Sequence, residues 1–189
     1  MSNTTITLIL VLIFFALTIM DYSRRTFGVQ LLQVLSLGVS FFVAKEYFLP
    51  LAEKLELIIP FPGYSITSDF SYYPDAVLTN MDVIYYRAMA FALILVGVQV
   101  IKSFILYLFS PSKYRKGQGK VLSLGGFITG FITAWFTLFF VFAILSLLGL
   151  EGVQSFLSHN SVAEFFIRRT PFLTHEVFNL WFAGIALAI

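Results

Sequence analysis

From Val121 to Leu150 the chain runs 30 residues without a charged side chain. A helix needs ~20 mostly apolar residues to cross the hydrocarbon core of a bilayer, so this run alone points away from folds that live in water. Three more runs accompany it. Met1 to Met20 carries no charge, Thr26 to Ala44 carries none over 19 residues, and Ala88 to Phe109 is interrupted only by Lys102. The pattern predicts an all-α integral membrane protein with four transmembrane helices, at about 4–21, 27–48, 84–109 and 121–149. None of these runs shows the alternation of polar and apolar residues that a membrane β-barrel requires.

Composition narrows the function classes. Apolar residues make up 59% of the chain and charged residues 12%, about half the charge of a soluble domain. With no cysteine there is no disulfide scaffold and no thiolate metal site. A net charge of +2 gives no footprint for nucleic acid, so none is expected as a partner; the lipid bilayer is. Pro50, Pro60, Pro62, Pro74, Pro111 and Pro171 all fall outside the predicted spans, as expected of a residue that disrupts helix interiors. The first span lacks a basic n-region and a small-residue cleavage site, so it is expected to be retained.

Charge asymmetry suggests an orientation. Arg24 and Arg25 follow the first span, and Lys113, Arg115, Lys116 and Lys120 lie in the short connector 110–120. The connector 49–83 carries Glu53, Glu56, Asp69, Asp75 and Asp82 against Lys54 alone. Basic residues gather in short cytoplasmic loops, which would put both termini outside. Within 49–83, Leu51, Leu55 and Ile58 recur at helical spacing and predict a short surface helix stopped by Pro60 and Pro62. The Tyr-rich stretch that follows suits an outer interfacial loop. Beyond the fourth span, 151–189 reads as amphipathic helices lying on the outer face. One of them would open on a capping box of Ser161 and Glu164.

Ionisable and amide groups inside spans are expensive, and each is a candidate functional position. Lys102 lies ~10 Å from the inner end of its helix, close enough for its stem to snorkel to the interface. Glu46 and Arg87 stand at equal depth with opposite sign and are expected to pair. Asp21 beside Arg24 and Arg25 forms an orienting cluster at the inner mouth. Gln30, Gln33 and Ser40 share one face of the second span, and Gln99 and Ser103 one face of the third. Both faces should point inward, as a hydrogen-bonded seam or as the lining of a polar path. Gly126 and Gly130 form a G-x-x-x-G, which lets a second backbone approach closely. Its use is packing within the bundle or, alternatively, a homo-oligomer contact.

Catalytic constellations are sparse. The only histidines, His159 and His175, lie outside the spans, and His175-Glu176 does not open an H-E-x-x-H because residue 179 is Asn. A zinc site from His159, Glu164 and His175 is the best metal arrangement this inventory offers, and it is a poor one. No catalytic residue, metal or cofactor is expected, and an enzyme is not.

The order of motifs resembles the colicin V production protein family (CvpA), in its Gram-positive form, over roughly residues 15–182. The stretch DYSRRTFGVQLLQVLSLGVSFFVAKEYFLPLAEKLELIIPFP is similar to the family's first turn and second helix, and YYRAMAF to the start of its third. KVLSLGGFITGF matches its basic connector and Gly-rich fourth helix, and VQSFLSHNSVAEFFIRRTPFLTHEVFNLW its C-terminal region. The family's Arg-Gly turn is spread here over Arg24-Arg25-Thr26-Phe27-Gly28. The positions matching family patterns are Arg24 or Arg25, and Tyr86 with Arg87. The resemblance implies a small bacterial inner-membrane protein, accessory to toxin production or secretion and to envelope homeostasis, with secretion or envelope proteins as partners and no catalytic set. A small oligomeric channel lined by Gln30, Gln33, Gln99 and Lys102 is the alternative.

Overall fold

The computed structural model describes residues 2–62, 70–73, 75–109 and 123–185. The basic connector at 110–120, and with it Lys113, Arg115, Lys116 and Lys120, lies outside the described residues, as does Asp69. Four helices are long and apolar enough to cross a membrane: α1 (Asn3–Ser23), α2 (Phe27–Glu56), α4 (Met81–Phe109) and α5 (Leu124–Ser146). A helical turn, α3 (Asp75–Leu78), precedes α4, and three short helices follow α5: α6 (Glu151–Ser158), α7 (Ser161–Arg169) and α8 (Leu173–Trp181). The chain is an all-α membrane protein with four apolar spans and peripheral C-terminal helices.

Local chemistry sets the ends. The Ser2 hydroxyl accepts from the Thr5 amide at the start of α1, and the Ser123 hydroxyl accepts from the Gly126 amide at the start of α5. Each satisfies one of the amides a helix leaves open. At α7 the N-cap is Asn160 and not Ser161. Its carboxamide oxygen accepts from Val162 (3.1 Å) and Ala163 (3.3 Å), and its Nδ2 donates to Thr7 Oγ1 at 2.8 Å. Asn160 is buried. It therefore caps its own helix and ties that helix to α1, which an exposed serine would not do.

The expected break after residue 48 is absent. α2 runs 30 residues to Glu56 with Pro50 inside it, so the separate surface helix and the exclusion of proline from helices are both corrected. A proline costs the helix one hydrogen bond. Here Phe48, Ala52 and Leu55 are buried in the same apolar cluster as Ile84, Ala88 and Phe91 of α4, and that packing carries the helix past the proline. Leu57 and Ile58, beyond its end, are exposed.

α1 packs along α5, and α2 packs along α4 and also against α5. Gly126 and Gly130 make the first contact close. A Cβ on Gly126 would lie 2.7 Å from Ser23 N, and one on Gly130 would lie 2.5 Å from Ile19 Cα. The G-x-x-x-G face is thus filled by α1 of the same chain, the first of the two uses considered. α4 and α5 touch little. They meet where Phe91 and Phe140 stack at 5.7 Å, and against that pair packs α8, whose fully buried Trp181 lies with ring centroids 6.3, 6.3 and 5.6 Å from Phe91, Phe140 and Phe178.

The C-terminal helices do more than cap one end of the bundle. Phe166 of α7 stacks on Phe142 at 5.5 Å and meets Trp135 at 5.2 Å. Trp135 lies 11 residues before the end of α5, ~16 Å along its axis. α7 therefore lies alongside α5, with its aromatic face turned inward.

Candidate functional site

Polar groups of α2 and α4 meet in a seam within the spans. Gln99 of α4 is its centre. Its Nε2 donates to the Ser36 carbonyl at 3.1 Å and to Ser40 Oγ at 3.3 Å. Its Oε1 lies 3.2 Å from Ser36 Oγ and accepts from Lys102 Nζ at 2.6 Å. Lys102 also donates to Gln33 Oε1. The ammonium is half-buried between two amide oxygens, so the snorkelling expected of it is corrected. A one-turn stem within the bundle finds acceptors closer than the interface. Among the described residues no carboxylate pairs with Lys102, and the seam holds one positive charge balanced by dipoles alone.

Gln30 does not join this seam. Its Nε2 donates to the Tyr22 and Arg25 carbonyls (2.9 and 3.0 Å) and lies 3.2 Å from Ser123 Oγ. It locks the turn between α1 and α2 against the start of α5. In that turn Arg25 pairs with Asp21 and stacks over the Tyr22 ring at 4.5 Å, while the Arg24 amide caps α1 through the Asp21 carbonyl. A Cβ at Gly28 would meet nothing within 4 Å, so this glycine is not required by space. Ser103 bonds back to the Gln99 carbonyl at 2.8 Å and is exposed.

The expected pairing of Glu46 with Arg87 is not formed. Arg87 Nη1 instead donates to the Trp181 carbonyl at 2.9 Å and the Ala183 carbonyl at 2.7 Å. These are end-of-helix carbonyls that lack intrahelical partners, a stronger demand on a guanidinium than an exposed glutamate in water. Beside it, Tyr86 donates to the Ile59 carbonyl at 2.8 Å. The two neighbours thus pin the turn after α2 and the end of α8 to one point of α4.

Gln154, Ser36 and Asn160 carry comparable weight and were not singled out by the sequence. Gln154 is buried: Nε2 donates to the Ser146 and Leu148 carbonyls (3.1 and 2.8 Å), and Oε1 accepts from the Ser71 amide at 3.0 Å. The signal available was an uncharged amide set among Val153, Phe156 and Leu157 of a short amphipathic helix. Next to it Tyr72 donates to the Leu157 carbonyl and Tyr73 shares a hydrogen bond with Ser146 Oγ, both at 2.7 Å. Burial pushes the Tyr73 phenol far above its ordinary value, and burial, with Glu164 nearby, raises Tyr72. Among the described residues no three of His, Asp and Glu converge to hold a metal ion.

No solved structure matches the chain. It is 23% identical over 159 residues to an uncharacterized transmembrane protein, YshB, of Bacillus subtilis (strain 168), covering 84% of this chain and 87% of that one. The sequence pattern described as colicin V production protein matches residues 5–171, which include the α1–α2 turn, both helices of the α2–α4 seam and the Tyr86-Arg87 pair itself. On that extent of match, the chain belongs to the colicin V production protein family.

Proposed function

We propose that this protein is a non-enzymatic accessory component of a bacterial cytoplasmic membrane, serving toxin production or secretion of the colicin V kind and envelope homeostasis, with both termini outside. The family match across residues 5–171 carries the reading. The geometry supports it, since the amides of the spans are spent on one another and on helix ends and not aimed at a common reaction centre. Partners would be secretion or envelope proteins, met through the 49–83 connector or the C-terminal helices. In a toxin-producing host, deletion should lower toxin release or raise sensitivity to detergents, and the wild-type chain should restore both. A deletion strain unchanged on both counts overturns the proposal, and reporter fusions that separate the two termini overturn the orientation.

A second reading has one observation in its favour. Lys102 places an unneutralised cation inside the α2–α4 seam, where ionisable groups commonly mark ion or substrate paths. For an oligomeric conduit, Gln33→Leu should abolish flux in liposomes while the protein stays folded. No flux from the wild-type chain removes this reading.

A further inference from the structure

A groove of about 740 Å³ runs between α2 and α5 beneath the α7–α8 corner. Its body is apolar, lined by residues such as Val34, Phe42, Phe131 and Trp135. Two charged residues of opposite sign share the lining, Lys45 of α2 and Glu176 of α8. From Val34 to Lys45 is 11 residues of continuous helix, ~16 Å at 1.5 Å per residue. That is about half the ~30 Å hydrocarbon core, the depth of one leaflet. The α2 wall of the groove is therefore about as long as one leaflet's acyl chain, with Lys45 at its C-terminal end and no charge at the other. Neither charge is bound to the other: Lys45 makes no ion pair among the described residues, and Glu176 stands 3.9 Å from His175 Nδ1.

Phe172 adds a second observation. It lines the groove with 68% of its surface exposed, and its φ of 65° makes it the one non-glycine residue with positive φ among those described. A bulky side chain is rarely held in that backbone region, and here the strain turns a phenyl ring over an apolar channel. A hydrocarbon chain in the channel would cover that ring.

We propose that this groove is a binding site for a glycerophospholipid whose head group carries both a phosphate and a primary ammonium, as in phosphatidylethanolamine. Lys45 takes the phosphate, Glu176 takes the ammonium, and an acyl chain lies along Gly38 and Trp135. Phosphatidylglycerol has the phosphate but no cation for Glu176, so it binds less well.

Gly38 makes the test clean. It lines the groove, and a Cβ there would meet nothing within 4 Å, so Gly38→Phe sets out from open space and puts its ring in the channel. The full-length chain is purified in mild detergent, offered phosphatidylethanolamine or phosphatidylglycerol with palmitoyl and oleoyl chains, and weighed by native mass spectrometry. The wild type should retain one phosphatidylethanolamine, roughly fivefold in preference to phosphatidylglycerol, the worth of one solvent-accessible ion pair. Glu176→Gln should still bind lipid but lose the preference, and Gly38→Phe should bind neither while keeping its helicity. Should Gly38→Phe lose helicity, the preference in Glu176→Gln decides alone. Equal retention of the two lipids by the wild type, a preference that survives Glu176→Gln, unchanged retention in a folded Gly38→Phe, or a second copy of the chain in place of lipid overturns the proposal.

Discussion

Replacing Gly130 by alanine should be among the most damaging single-methyl changes this protein can suffer. The added Cβ would sit 2.5 Å from Ile19 Cα and 2.9 Å from Ile19 N, whereas carbon atoms rest at about 3.5–4.0 Å. The obstructing atoms are backbone and cannot rotate away, so α1 and α5 must separate by roughly 1 Å. A gap of that size forfeits up to about half of each dispersion contact across it. Overpacking typically costs about 1–3 kcal/mol, and a backbone obstruction puts Gly130→Ala near the upper end, at about 3 kcal/mol. Gly126→Ala meets Ser23 N at 2.7 Å on the same face. One displacement relieves both clashes, so the double substitution should cost about 1 kcal/mol or more less than the sum of the singles. Gly97→Ala is the control. Nothing lies within 4 Å of its Cβ, and helix propensity favours it by up to ~1 kcal/mol. Unfolding in mixed micelles by SDS titration, followed by far-UV circular dichroism and tryptophan fluorescence, reads all four. Stability of Gly130→Ala within ~0.5 kcal/mol of Gly97→Ala, or strict additivity of the two glycine changes within that margin, would refute the reasoning.

Three further outcomes are expected. Lys102→Met should destabilise by about 1 kcal/mol by leaving the Gln33 and Gln99 oxygens short of a donor, and adding Gln33→Leu should recover part of the loss; a double variant no better than Lys102→Met in the same titration contradicts the seam. Arg87→Met should speed amide hydrogen exchange in the residues after Trp181, while Glu46→Ala should leave it unchanged; an equal response to both would restore the ion pair. The Tyr73 phenol is raised in the folded state, so its stabilising contribution is complete below the unfolded value of ~10 and is lost as pH climbs above it. Alkaline titration should therefore show unfolding beginning above pH ~10, and Tyr73→Phe should blunt that slope; an identical slope excludes Tyr73 as its source.

The four spans were legible because hydropathy needs only composition along a window, and the lipid requirement for satisfied backbone leaves few alternatives. Partner choice was less legible, because it depends on what else comes near. Gln33 and Gln99 do meet, both accepting from Lys102, yet Gln30, three residues away on the same helix, turns to the Tyr22 and Arg25 carbonyls that the α1–α2 turn brings to its level. Arg87 offered a charge, and charge suggested Glu46. The carbonyls at the end of α8 took it instead, from a segment more than ninety residues distant. Pro50 read as a boundary because proline ends helices in isolation, and the apolar contacts of Phe48, Ala52 and Leu55 with α4 outweigh it. Asn160 was passed over for Ser161 because both are good caps, and only contact with Thr7 distinguishes them.

The family pattern closes at residue 171, two positions before α8 begins. Yet α8 supplies Trp181, whose ring packs against the stacked rings of Phe91 on α4 and Phe140 on α5, and Arg87 fastens the end of that helix. Any relative that stops short of this segment must cover the flank of that aromatic pair with a side chain borrowed from elsewhere, or leave the joint between its third and fourth spans open to lipid.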